Sequence, residues 1–175
     1  MYLEHALPLA EKYVTLLAPH CERIEIAGSI RRKKFDVKDI EIVAIPKPYE
    51  TGLFASGIAT VVNQWEKVKG DLPCKYTQRI LPEGIKLDLF FATPTNWGLI
   101  LVYRTGSSEF NIAWLRSMKL RGYRMLEGTM FYKGKEVFVR EEKDLFNRMG
   151  ERFILPEHRE ANNNVLLEQR PIINV

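Results

Sequence analysis

Two cysteines, Cys21 and Cys74, are too few for a disulfide framework, and with no CxxC and no paired Cys/His spacing they indicate no zinc site either. The three histidines, His5, His20 and His158, stand alone and read as surface or structural groups rather than metal ligands. No apolar run approaches the roughly 20 residues that a membrane-spanning helix needs. The N-terminal "MYLEHALPLAEKYVTLL" carries acids and reads as an amphipathic helix, not as a secretory leader. Internal repeats and low-complexity linkers are also missing, so the expectation is a chain of a reducing, intracellular compartment that folds around its own core.

What is present supports that core. The chain has 175 residues, 46% hydrophobic and 27% charged, enough for one good core or two small lobes. The formal net charge of +4 is unevenly placed. Arg31, Arg32, Lys33 and Lys34 form one basic cluster, and Arg116, Lys119, Arg121 and Arg124 form a second. Focused basic patches suit a polyanionic partner, although many basic proteins bind no nucleic acid.

Periodicity predicts the elements. Leu3, Ala6, Leu7, Ala10, Val14 and Leu17 recur at helical spacing, so a helix is expected from residue 3 to about residue 18. "RIEIAGS" alternates as a strand that Gly28 breaks, and "DIEIVAIP" alternates as a second that Pro46 ends. Residues 55–69, "ASGIATVVNQWEKVK", read as a helix stopped by Gly70. "CKYTQRILP" and "IKLDLFFATP", joined by Glu83-Gly84, read as antiparallel neighbours, with Lys86, Asp88 and Phe90 on one face of the second. "NWGLILVYR" reads as a buried helix, and "SSEFNIAWLRSMKLRG" as another with a serine N-cap and Gly122 as its stop. Tight turns at Glu127-Gly128 and Lys133-Gly134 join strands, and a short helix ends at Gly150. The stretch that includes Asn162 to Asn164 is weakly specified.

Two constellations stand out. Asp39 and Glu41 alternate along one strand and lie about 7 Å apart on one side, each free to reach a common hard cation. With Asp88 from a nearby strand they make three carboxylates, enough to hold two divalent ions about 3.5 to 4 Å apart for an in-line displacement at phosphorus. The plainer alternative is the solvent face of a half-exposed strand. Gly28-Ser29, just after a strand, offers close backbone approach and a hydroxyl for phosphate oxygens, and Arg32 supplies a planar charged fork. Lys86, on the face of Asp88, either contacts a phosphate or neutralises the acids.

Four segments in order, "GSIRRKKFDVKDIEIV", "IKLDLFF", "YRTGSSEFN" and "EEKDLFNRMGERFILPEHRE", resemble the polymerase beta type, or family X, of DNA polymerases within the nucleotidyltransferase superfamily. The resemblance runs from about residue 10 to residue 160. It implies that Asp39, Glu41 and Asp88 are the metal-binding carboxylates, with Asp88 on the side of the primer 3′-hydroxyl. It implies that Gly28, Ser29 and Arg32 bind the triphosphate, that Tyr103 and the Thr105-Gly106 turn meet the sugar, and that Asn111 meets the incoming base. Trp114, Leu115 and Arg116 then lie on the helix facing the nascent base pair and template, and the basic face of 112–124 contacts DNA. The departures are Glu41 where the best-known members have aspartate, Arg104 in place of an aromatic, and Leu115 where some relatives have arginine. No room precedes residue 28 for an amino-terminal lyase or helix-hairpin-helix modules, as in the smallest viral members.

The expectations are therefore an α+β fold, with a nucleotidyltransferase palm at 1–104 built on a mixed or antiparallel sheet with flanking helices, and a small α/β lobe at 105–175. The resemblance implies a DNA-directed DNA polymerase using two Mg²⁺ ions, with Mn²⁺ as substitute. Its partners would be a dNTP and primer-template or gapped DNA, with no membrane, and the chain a monomer. Transfer to another acceptor, template-independent tailing, and a non-catalytic nucleic-acid-binding module remain the alternatives.

Overall fold

The structure is a computed structural model that describes residues 1–48 and 57–160. Its backbone divides into two compact units, Met1–Thr93 and Pro94 onward. The division falls eleven residues before the 104/105 boundary read from the change in sequence character, so the helix "WGLILVYRT" belongs with the second unit.

The first unit is a five-stranded sheet with helices. Helix α1 (Leu3–Leu17) buries Ala6, Ala10, Tyr13 and Leu17, a stripe at helical spacing. It is followed by β1 (Cys21–Ile26), the single turn α2 (Gly28–Arg31), which the alternation did not predict, and β2 (Asp39–Pro46); the two strands form where the alternation places them. After α3 (Ile58–Val62) come β3 (Glu66–Lys69), β4 (Tyr76–Ile80) and β5 (Lys86–Phe91). The strand order is β1-β2-β5-β4-β3, antiparallel throughout except for the parallel pair β2·β5. Ile40, Ile42 and Ala44 of β2 and Leu87 and Leu89 of β5 share a face and are buried in one cluster with the α1 stripe, Ile58 and Val62. Burying each large aliphatic side chain is worth about 1.5–3 kcal/mol, and a slip of one residue would turn the whole set to water. The burial that fixes the register therefore turns the alternate residues, Asp39, Glu41 and Asp88, to the opposite face.

The helix expected over 55–69 is corrected. Residues 55 and 56 lie outside the described residues, the helix covers only Ile58–Val62, and Glu66–Lys69 is a strand. The cause is tertiary. The guanidinium of the fully buried Arg79 donates to the carbonyls of Val62 (3.3 Å), Lys69 (3.0 Å) and Gly70 (3.1 Å), and the Thr77 hydroxyl donates to Lys69 O at 2.8 Å. These hydrogen bonds from β4, with a further one from the Thr77 hydroxyl to Gly70 O at 3.0 Å, hold the end of α3 and the start of the next turn. The intervening chain pairs with β4 as a charged edge strand, and Gly70 (φ +74°) serves that turn rather than a helix end.

In the second unit, α4 (Trp97–Thr105) and α5 (Ser108–Leu120) match the apolar run and the capped helix read from sequence. Ser107 Oγ accepts from Phe110 N at 3.1 Å, an N-cap worth about 1 kcal/mol. Strands β6 (Tyr123–Leu126), β7 (Thr129–Tyr132) and β8 (Lys135–Val137) form an antiparallel meander. Its two-residue turns, Glu127-Gly128 (φ +49° and +81°) and Lys133-Gly134 (φ +49° and +78°), have the paired positive angles that suit twisted hairpins. Helix α6 (Glu142–Arg148) completes the core, where Phe110 stacks on Trp114 and Trp114 meets Phe146 at a tilt of 53°. The fully buried Arg159 donates to Glu142 at 2.6 Å, lies 5.4 Å over each of the Phe146 and Phe153 rings, and accepts Ser107 N on its carbonyl at 3.0 Å. Both units mix helices with sheet, so the fold is α+β.

Candidate active site

The acids come together by strand register. In the parallel pair, Asp39 stands beside Lys86 and Glu41 beside Asp88, on the sheet face opposite α1. Asp39 and Glu41 are partly buried and Asp88 is 8% exposed. Burial, and after it the negative charge of Asp88, raises the Asp39 carboxyl above its ordinary range; Lys86 and Lys38 oppose the rise in part. Lys86 thus acts electrostatically on Asp39.

Two residues that the sequence reading passed over hold Asp88. Tyr76 Oη and Gln78 Nε2 both donate to Asp88 Oδ1, each at 2.7 Å. A signal for them existed: a hairpin centred on Glu83 pairs Gln78 with Asp88 and turns Tyr76 and Gln78 to the acid face.

Gly28 sits against Glu41. It has φ +60°, and a Cβ built on it would overlap the Glu41 carboxylate. Ala27 N donates to Glu41 O at 2.8 Å, tying the turn after β1 to β2. The neighbouring Ser29 hydroxyl is buried with no hydrogen-bond partner among the described residues, a state that costs about 1–3 kcal/mol unless something is bound there. Arg32 is partly buried at the end of α2, whereas Lys33 and Lys34 are exposed. Arg31 pairs with Glu25 at 2.8 Å.

Hard oxygen donors on one face suit Mg²⁺ or Mn²⁺. Among the described residues, however, no group of three or more His, Cys, Asp or Glu side chains is arranged to hold a metal ion. Asp39 and Asp88 oppose one another's charge, and the Glu41 carboxylate lies against Gly28. The residues fit a divalent cation in chemistry and register.

In the second unit, Tyr103, Gly106 and Asn111 form one local cluster. Asn111 Nδ2 donates to Tyr103 O (2.8 Å) and Gly106 O (3.3 Å), bracing the α4–α5 turn. A Cβ on Gly106 would press on Phe110 and on Asn111 Oδ1, so the tight bend requires glycine. Arg104 lies 5.3 Å over the Tyr103 ring. Trp114, expected on the template-facing side, is instead 2% exposed and stacked in the core, because it continues the Phe110–Met118 stripe at helical spacing. Arg116 and Lys119 are exposed on α5 as expected. Arg121 departs from the basic face: it bonds the Ser117 hydroxyl and pairs with Glu151 at 3.2 Å.

Residues 100–160 match the family model described as DNA polymerase beta thumb. The match begins within α4, lies in the second unit and does not extend to the strands bearing Asp39, Glu41 and Asp88. It supports a relationship to the family X polymerases and a DNA-binding character for the segment. No curated protein matches the chain. No described helix is long and apolar enough to cross a membrane.

Proposed function

We propose that the chain is a DNA polymerase of the family X kind that joins a dNTP to a primer 3′-hydroxyl with loss of pyrophosphate, acting in repair or gap filling. The observation that carries the reading is the parallel β2·β5 register, which sets Glu41 beside Asp88 and Asp39 one position ahead of both on the same face. The thumb match over 100–160 supports the choice of nucleic acid as substrate.

Asp39, Glu41 and Asp88 would hold Mg²⁺, with Mn²⁺ as substitute, which when bound supplies charge neutralisation at phosphorus and a lowered pKa of the attacking hydroxyl. The chain's own residues position the reactants. The unpartnered Ser29 hydroxyl is a ready donor to a phosphate oxygen, Gly28 leaves the backbone open to close approach, and Arg32 adds a planar cation. Asp88 offers an acceptor on the acid face for the primer hydroxyl. Tyr103, Gly106 and Asn111 serve the sugar and base of the incoming nucleotide, and Arg116 and Lys119 bind backbone phosphates. Rate enhancement comes from orientation and electrostatics, with no covalent intermediate.

The test is insertion into a single-nucleotide gap with each dNTP or NTP offered alone, with a bare single strand beside it, in Mg²⁺ or Mn²⁺. Selective insertion of the complementary dNTP into the gap is expected, and its loss in Asp88→Ala. Equal tailing of single strands would make the chain a terminal transferase. Activity retained in Asp88→Ala would overturn the site.

A further inference from the structure

The structure assigns a positioning role to Tyr76 and Gln78: we propose that they clamp one oxygen of Asp88 and leave the other, Oδ2, as the single working oxygen of that carboxylate. The proposal deepens the polymerase reading and rests on it for the role of Asp88.

The geometry is specific. Gln78 faces Asp88 directly across the antiparallel β4·β5 pair, and Tyr76 faces Phe90. The Tyr76 ring lies nearly parallel on Phe90, with centroids 4.9 Å apart and planes at 17°, and from that platform its hydroxyl reaches back to Asp88. Both donors, each at 2.7 Å, choose Oδ1; among the described residues Oδ2 receives no hydrogen bond. A nearly buried carboxylate needs donors, and two shared between its oxygens would satisfy it equally well. Two on the same oxygen fix the plane of the carboxylate as well as its solvation. Both donors are also neutral. An arginine or lysine in either place would cancel the charge of Asp88 and compete with a cation, whereas an amide and a phenol orient the charge and leave it in place.

The experiment uses Tyr76→Phe, which keeps the ring on Phe90, and Gln78→Met, which keeps the length of the side chain. Each is made in the natural chain and in Asp88→Asn. Gap filling gives kcat and the KM for dNTP separately, and electron paramagnetic resonance gives Mn²⁺ affinity in the absence of nucleotide. Each single variant should lower kcat about tenfold with KM within twofold, and weaken Mn²⁺ binding about threefold to tenfold. Neither should weaken Mn²⁺ binding further in Asp88→Asn, because both act through the same carboxylate. Unchanged kcat and Mn²⁺ affinity, with only thermal stability lowered, would overturn the clamp and leave the polymerase reading intact. Weakened Mn²⁺ binding in both variants of a chain that extends no primer would overturn the polymerase reading and uphold the clamp. A natural chain that binds no Mn²⁺ would overturn both.

Discussion

The carboxylate of Glu41 occupies the space that a side chain on residue 28 would need, and Gly28 holds a left-handed backbone angle of +60° beneath it. The turn that follows β1 and an acid of β2 are thereby made interdependent. A side chain at position 28 cannot be added without moving Glu41.

Gly28→Ala should lower stability by about 1–2 kcal/mol from the backbone angle alone, with a further loss from displacing Glu41. Made in the Glu41→Ala background, the same change should cost little more than the backbone part, since only the Cβ at position 41, 3.0 Å away, still meets the new side chain. Urea unfolding of the four proteins separates the two contributions. Equal costs in both backgrounds would mean that Glu41 turns away freely. In the gap-filling assay Gly28→Ala should lose at least about tenfold in rate, because Glu41 is pushed from its place.

Asp39 should cost the fold stability at neutral pH. Its carboxyl is raised first by burial and then by the charge of Asp88, so the folded state disfavours the ionised form. That penalty is fully present above the raised pKa and disappears at low pH, where Asp39 is protonated folded or unfolded. Asp39→Asn is therefore expected to raise the urea midpoint at pH 7 while abolishing insertion, and the gain should vanish as pH falls through the carboxylate range. Lys86→Met, which removes an opposing cation, should enlarge the gain. A midpoint that falls at pH 7 in Asp39→Asn would contradict the assignment.

Arg159→Met leaves Glu142 charged and buried, and should cost about 3–5 kcal/mol, measured as loss of second-unit stability. Replacing both partners, Glu142→Leu with Arg159→Met, should restore a large part of it, since two apolar groups strand no charge. A double variant worse than Arg159→Met would show that the guanidinium between Phe146 and Phe153 matters more than its ion pair.

Basic residues on and after α5 should separate by role. Alanine at the exposed Arg116 and Lys119 is expected to weaken DNA binding whatever the sequence, and to reduce the slope of log affinity against log salt by about 0.9 for each phosphate no longer neutralised. Arg121→Ala should leave that slope nearly unchanged and lower the melting temperature, because Glu151 would be left buried without its cation. Fluorescence anisotropy over a salt series, with thermal melts beside it, distinguishes the two behaviours.

Elements whose signals are local were legible. The α1 stripe, the alternation of β1 and β2, the Ser107 cap and the two Gly-containing hairpin turns each depend on residues a few positions apart, and each forms where its pattern predicts. The 55–69 segment misled for the complementary reason. Its spacing fits a helix, yet the donors that decide its path, Thr77 and Arg79, lie on a later strand. Trp114 and Arg121 likewise read as a template-facing ring and a free cation until the core stack and the Glu151 pair are seen.

By itself the sequence determined the α+β mixture, the alternation that commits Asp39 and Glu41 to one side of a strand, and the order of the segments that resemble a polymerase. Alternation is a property of any extended chain, so it needs no partner strand to be read. Only the tertiary structure decided that β2 and β5 run parallel with Glu41 beside Asp88, that Gly28 makes room for Glu41, and that Tyr76 and Gln78 close on one oxygen of Asp88. Those relationships join residues from 10 to 47 positions apart. They follow from burying Ile40, Ile42, Leu87 and Leu89 together on the far face, a choice that no single segment makes alone.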